Sequence, residues 1–215
     1  MAFDKSRSAQ VSKIVNSKGG SVKVLVLNAA FNGTDRSKGP LERSSLHRLV
    51  IEAHETETNG KEKTTLSLSG NIPSEKLPAL LALSEQALFD KVVYQQERSF
   101  PLLPGVWKPR MSTQDENGNV EVYSAEINYI GNYKLPIQFK LTTLRAPVGT
   151  DETGKINVKL RETVEGSKKE ITFYISAEDW YNQLSNANDM YNLYRERAMQ
   201  NGVYDPAFGL TSAEE

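Results

Sequence analysis

Alternation of apolar and polar positions runs through most of this 215-residue chain and predicts strands. Val22 to Phe31 is apolar and β-branched. Arg48–Thr56 and Thr64–Ile72 alternate on either side of Asn59-Gly60, a dipeptide suited to the positive φ angles of a tight hairpin turn. Between them, 32–45 reads as a long polar loop with room for a short edge strand. After Pro73 the period changes, because Leu77–Asp90 is rich in Leu and Ala and lacks β-branched residues, which predicts a helix. Lys91–Arg98 suits either a continued helix or a strand, since Val92-Val93-Tyr94 favours extended chain. Val120–Ile130, Leu135–Leu144, Ile156–Thr163 and Glu170–Ile175 then read as four consecutive strands, linked through Gly131-Asn132, the stretch 151–154 and Glu165-Gly166. Ser176-Ala177-Glu178-Asp179 is a capping box that opens a last helix, in which Trp180, Leu184, Ala187, Tyr191 and Tyr194 recur as one packing face.

Residues 49–69 align without a gap on 156–176, at a constant offset of 107 positions. Leu49, Ile51, Leu66 and Leu68 fall on Ile156, Val158, Phe173 and Ile175, and Glu55-Thr56 falls on Glu162-Thr163, as expected of two copies of one hairpin. The chain therefore predicts an α+β fold of two pseudo-repeated antiparallel β-meanders, each followed by a helix. The expected parts are a flexible basic arm over 1–20, a first meander plus helix over 21–98, a proline-rich connection and turn over 99–119, a second meander plus helix over 120–200, and an acidic tail over 201–215. Strands and helix in this order, twice, resemble the ββββα–ββββα arrangement of the Whirly and PUR families of single-stranded nucleic-acid-binding proteins. The resemblance spans residues 21–198 and is one of topology and repeat spacing. It implies single-stranded DNA or RNA as partner and self-association into a homo-oligomer.

Composition narrows the chemistry. The absence of cysteine excludes disulfides, thiolate metal sites and cysteine nucleophiles. No apolar run approaches the ~18 residues of a membrane helix, and the first residues lack an apolar signal core, so a cytoplasmic protein without a membrane partner is expected. Net charge is −1, but residues 1–110 carry +5 and residues 111–215 carry −6, a split that lets a basic region meet an anionic partner.

Three motif-like patterns dissolve on inspection. Gly149, Gly154 and Lys155 have phosphate-loop spacing, but Ile156 replaces the hydroxyl residue and a strand follows where a helix is required. Asp115, Asn117, Asn119 and Glu126 mimic a calcium loop, but Val120 occupies the place of the obligatory glycine, which leaves a polar turn. His47 and His54, seven apart, face opposite ways on a continuous strand. No cofactor, metal site or catalytic residue is therefore assigned, and the chain is read as non-enzymatic.

The outward face of the second meander is more suggestive. With Ile137, Phe139, Leu141, Ile156, Val158, Leu160, Ile171, Phe173 and Ile175 pointing inward, strict alternation places Gln138, Lys140, Thr142, Lys159, Arg161, Thr172 and Tyr174 outward. Cations there neutralise phosphates and an aromatic ring stacks on any base. The candidate binding residues are Gln138, Lys140, Lys159, Arg161 and Tyr174, with Tyr129, Tyr133 and Lys134 at a neighbouring turn and Lys23 assisting. The alternative is a protein-interaction module, such as a phage- or plasmid-encoded inhibitor or assembly factor. Its protein partner would meet edge strands or the segment Phe100–Trp107, which otherwise plugs the core.

Overall fold

The computed structural model describes residues 8–18, 21–30, 48–59, 61–73, 76–150, 152, 156–200, 204–205 and 209–210. The first meander has strands β1 (Ser8–Lys18), β2 (Ser21–Ala30), β3 (Arg48–Asn59) and β4 (Lys61–Pro73) in that spatial order, followed by helix α1 (Leu77–Val92). The second contains β5 (Ser99–Leu103), β6 (Lys108–Arg110), β7 (Asn119–Ile130), β8 (Ile137–Thr150), β9 (Ile156–Val158) and β10 (Lys169–Ile175), followed by helix α2 (Ala177–Gln200). Short strands β11 (Tyr204–Asp205) and β12 (Gly209–Leu210) pair beyond it. In the second sheet β7 and β8 are central, β5 and β6 both pair with β7, and β9 and β10 both pair with β8. Each edge is thus one strand broken into two pieces, and the sheet is a four-position meander like the first. The expected α+β fold, with a strand–helix arrangement used twice, is what the chain forms.

Three local expectations are corrected. Residues 8–18, assigned to a basic arm, form β1, paired with β2 along its length. Val11 and Ile14 pack from it against the core, and that suffices for an edge strand that pairs with β2. The stretch 156–176 is not a hairpin. β9 and β10 both run antiparallel to β8 and hence parallel to one another, and residues 159–168 make an excursion between them that contains a 3₁₀ turn over Leu160–Glu162. Ile156 and Leu160 are consequently exposed, and Val158 lies outside the main core. Of the ambiguous stretch Lys91–Arg98, Lys91 and Val92 continue α1 and residues 93–98 are neither helix nor strand before β5 begins at Ser99, with Gln95 turning the chain at φ of 53°.

The inner faces of both sheets and one side of each helix share a single core. Gly70 on β4 marks the closest approach of the sheets: a Cβ there would stand 2.7 Å from the Ala125 Cβ and 3.2 Å from a Leu141 methyl. Trp180, fully buried near the start of α2, meets Phe139 edge-on with centroids 5.0 Å apart, and its indole Nε1 donates to Ser84 Oγ of α1 at 2.8 Å. Ser84 in turn donates to the Leu80 carbonyl at 2.6 Å. Half of the expected capping box forms: the Asp179 amide donates to Ser176 Oγ at 3.0 Å, while the Asp179 carboxylate accepts at 2.7 Å from the Ser176 hydroxyl rather than from a backbone N–H. Of the expected helix stripe, Trp180, Leu184 and Ala187 are buried and Tyr191 packs against the core, while the side chain of Tyr194 lies outside the described residues.

A second, smaller cluster lies on the opposite face of the second sheet. Val120, Val122, Leu144 and Ala146 are buried there beneath Trp107, Val148 and Val158. The strand β7 therefore changes its buried side along its length, with Val120 and Val122 on one face and Ile127 and Tyr129 on the other. Of the Phe100–Trp107 segment, Leu102 is buried, Phe100 and Leu103 pack on the main core, Trp107 covers the second cluster, and Val106 is exposed. The calcium-like pattern is a turn: Asp115 accepts from the Asn119 and Asn117 amides at 2.9 and 3.0 Å and from Arg145 at 2.7 Å. The Asn119 hydrogen bond, followed by Arg145, holds the Asp115 carboxyl below the usual aspartate range. His47, Gly154 and Lys155 lie outside the described residues.

Two substitutions test this packing by chemical denaturation. Gly70→Ala is expected to destabilise by about 1–3 kcal/mol through overpacking between the sheets. Ser84→Ala is expected to cost about 1–3 kcal/mol by stranding the buried indole N–H, with Phe139 and the remaining contacts unchanged.

Candidate nucleic-acid interface

Cross-strand pairing sorts the outer face of the second sheet into rows. Asn128 of β7 stands opposite Gln138 of β8, which stands opposite Tyr174 of β10. The next rows are Glu126, Lys140 and Thr172, then Ser124, Thr142 and Glu170. Neighbouring positions in a row are ~4.8 Å apart and successive rows ~6.8 Å apart. The open part of this face has two boundaries. On one side the link between β5 and β6 lies over β7, where a Cβ on Gly105 would come within 2.6 Å of Ser124 Oγ and 2.5 Å of Glu126 Cγ. At the far end the second apolar cluster covers Val120 and Val122.

At the uncovered end, aromatic and polar groups converge. The turn between β7 and β8 carries Tyr133 over Tyr174, with centroids 5.9 Å apart and planes 8° from parallel. Tyr133 is half exposed, so the pair presents ring surface to solvent. Gln138 Nε2 donates to the Tyr174 hydroxyl at 2.8 Å while Gln138 Oε1 accepts from Asn128 Nδ2 at 3.4 Å, an amide relay that fixes the Tyr174 ring. Lys134 is exposed on the same turn and makes no ion pair among the described residues. Lys140 is 3.8 Å from Glu170, which also lies 3.3 Å from Lys168. The face is therefore mixed in charge, with one carboxylate held between two ammonium groups.

Thus Tyr133, Lys134, Gln138, Lys140 and Tyr174 come together, and the other candidates do not join them. Tyr129 is fully buried: it shares the parity of Ile127, packs tilted against Phe100 with centroids 5.1 Å apart, and directs its hydroxyl to the Gln96 carbonyl at 3.4 Å. It has no ring face free for a base, and the parity of Ile127 and Tyr129 in sequence already carried that signal. Lys23 continues the inward parity of Leu25 and Leu27 at the end of β2, where it pairs with Glu55 at 2.9 Å and donates to the Thr172 carbonyl at 3.5 Å. It ties the first sheet to β10. Lys159 and Arg161 sit in the excursion after β9. Lys159 hydrogen-bonds through its amide to the Pro147 carbonyl and pairs with Glu162 at 3.7 Å. Pro147 is nine residues along β8 from Gln138, roughly 30 Å at ~3.3 Å per residue, so these cations stand well away from the tyrosine pair. Sequence reading overlooked Asn128, which orients Gln138, and Glu170, which offsets Lys140. Both follow from strand register, which one strand's alternation does not disclose.

No group of His, Asp and Glu with metal-site geometry occurs among the described residues, and none of their helices is long and apolar enough to cross a membrane. Burial pushes the Tyr129 hydroxyl above the usual tyrosine pKa, and the charge of Asp90 adds to the effect. Folding therefore favours protonated Tyr129, and its contribution declines as pH rises above ~10. Spectrophotometric titration should show one late-ionising tyrosine that Tyr129→Phe removes. Comparison of the chain with family models, with curated proteins and with solved structures finds no match.

Proposed function

We propose that the chain binds single-stranded nucleic acid, DNA in the first instance, without catalysis and with little sequence preference, on the outer face of its second sheet. The observation that carries this reading is the parallel Tyr133–Tyr174 pair on an open sheet face, braced by Gln138 and flanked by Lys134 and Lys140. Aromatic surface accepts any base by stacking, and the lysines neutralise phosphates as the strand passes. Lys159 and Arg161 meet the same strand only when it extends along β8. With Lys134, Lys140 and Lys168 engaged, the logarithm of affinity falls with the logarithm of salt at a slope of about −2. Both the cytoplasmic location and a homo-oligomeric state belong to this proposal, drawn from composition and from the Whirly and PUR resemblance.

A protein partner is the second reading. Phe89, Val92, Val93 and Tyr94 are exposed in one short run at the end of α1, which suits an apolar contact. That surface lies on a helix end and not on the tyrosine face, so the two readings separate by mutation.

Anisotropy of a fluorescein-labelled single strand tests the proposal. Tyr174→Ala should weaken binding about tenfold or more, while Tyr129→Phe leaves it unchanged. Glu170→Gln should tighten binding and steepen its salt dependence by releasing Lys140 and Lys168. Equal affinity in Tyr174→Ala and the parent protein would remove the tyrosine face from the account.

A further inference from the structure

The outer face of the first sheet holds a groove of about 470 Å³, lined by Gln10, Lys13, Val24, Val26, Asn28, Glu52, His54, Thr56 and Thr64. Its construction follows from strand register. Lys13 of β1 is opposite Val26 of β2, which is opposite Glu52 of β3, and Val24 is opposite His54 in the next row. The two valines form an apolar floor on β2. Lys13 and Gln10 make one wall on β1, and Glu52, His54 and Thr56 make the other on β3. The walls are two strand spacings apart, ~10 Å between backbones. Asn28 closes one end and is 8% exposed. Thr56 at the other end is 5% exposed, its hydroxyl directed to the Val22 carbonyl at 3.4 Å. Glu52 and His54 stand 3.7 Å apart on the same wall.

A ligand that satisfies this groove is flat and apolar enough to lie on two valines, offers hydrogen-bond donors to the Glu52 side, and carries negative charge towards Lys13. We infer that the groove is a nucleotide site, in which a base bearing an exocyclic amino group lies over Val24 and Val26. Its edge meets Glu52 and Asn28, and its phosphate meets Lys13. A carboxylate accepts from the amino group of cytosine or guanine, and an asparagine amide pairs with adenine, whereas thymine and uracil offer mainly acceptors. The inference takes its ligand class from the single-strand reading and deepens it. One sheet takes bases by stacking without preference, and the other prefers amino-bearing bases over thymine and uracil.

The test uses the full chain and mononucleotides, which cannot bridge the two sheets. Adenosine, cytidine and uridine 5′-monophosphates at millimolar concentration are titrated while backbone amide resonances are followed by NMR. The expected result is shifts at residues 10–14, 24–28 and 52–56, with adenosine and cytidine monophosphates binding about fivefold or more tightly than uridine monophosphate. Glu52→Ala should erase that preference and Lys13→Ala should weaken all three, with both variants retaining the parent amide spectrum elsewhere. Equal shifts with all three nucleotides, no shifts in the groove, or groove shifts only with a zwitterionic dipeptide such as glycyl-glutamate would overturn the inference. Oligothymidine binding to the same samples keeps the two claims apart. Oligothymidine that binds through Tyr174 while mononucleotides leave the groove unmoved defeats the groove alone. Groove shifts without oligothymidine binding defeat the tyrosine face alone.

Discussion

Everything else in this molecule depends on one shared core, in which two separate meanders bury their inner faces against each other and against both helices. Neither sheet supplies two sides of its own. The Gly70–Ala125 approach sets how close the sheets come, and Trp180 closes the far side by touching Phe139 of the second sheet while its N–H reaches Ser84 on α1. A buried indole with its donor satisfied adds both apolar area and direction. Because the inner faces are committed in this way, partners can meet only those parts of the outer faces that are not themselves covered, and the functional question becomes which outer face is equipped for what.

The two outer faces are equipped differently. On the second sheet, long strands β7 and β8 are covered at one end by Trp107 and Val158 and open at the other, where Tyr133 and Tyr174 stack. On the first sheet, the face is a valine-floored groove between a cationic and an acidic wall. Repetition of the strand–helix arrangement thus makes two platforms of one architecture with different surface chemistry. The Glu170 carboxylate between Lys140 and Lys168 also explains how a chain with near-neutral net charge presents cations without a strongly basic patch. An exposed pair of this kind holds its partners weakly, so phosphates compete for the lysines.

Most of the architecture was legible in sequence where alternation or helical spacing was strong, as in β2, β3, β4, β8 and β10 and in α1 and α2. Ser176 and Asp179 announced the start of α2 by a local rule that needs no tertiary context. β1 was missed because only Val11, Ile14 and Val15 break an otherwise polar run, and its pairing with β2 is what makes it a strand. The excursion at 159–168 was missed because strict alternation was carried past Val158. That error placed Lys159 and Arg161 on the same face as Tyr174, whereas register puts them at the other end of β8. For the site, Tyr174, Gln138 and Lys140 followed from alternation in regular strands. The stacking of Tyr133 on Tyr174 comes from the course of a turn, which no periodicity encodes.

Photocrosslinking of a single strand carrying 5-bromodeoxyuridine, followed by peptide mapping, tests the central claim most directly. The account predicts crosslinks at Tyr133 or Tyr174, lost in Tyr174→Ala and suppressed at high salt. Crosslinks confined to the end of α1 around Phe89–Tyr94, or none under conditions that saturate binding, would contradict it.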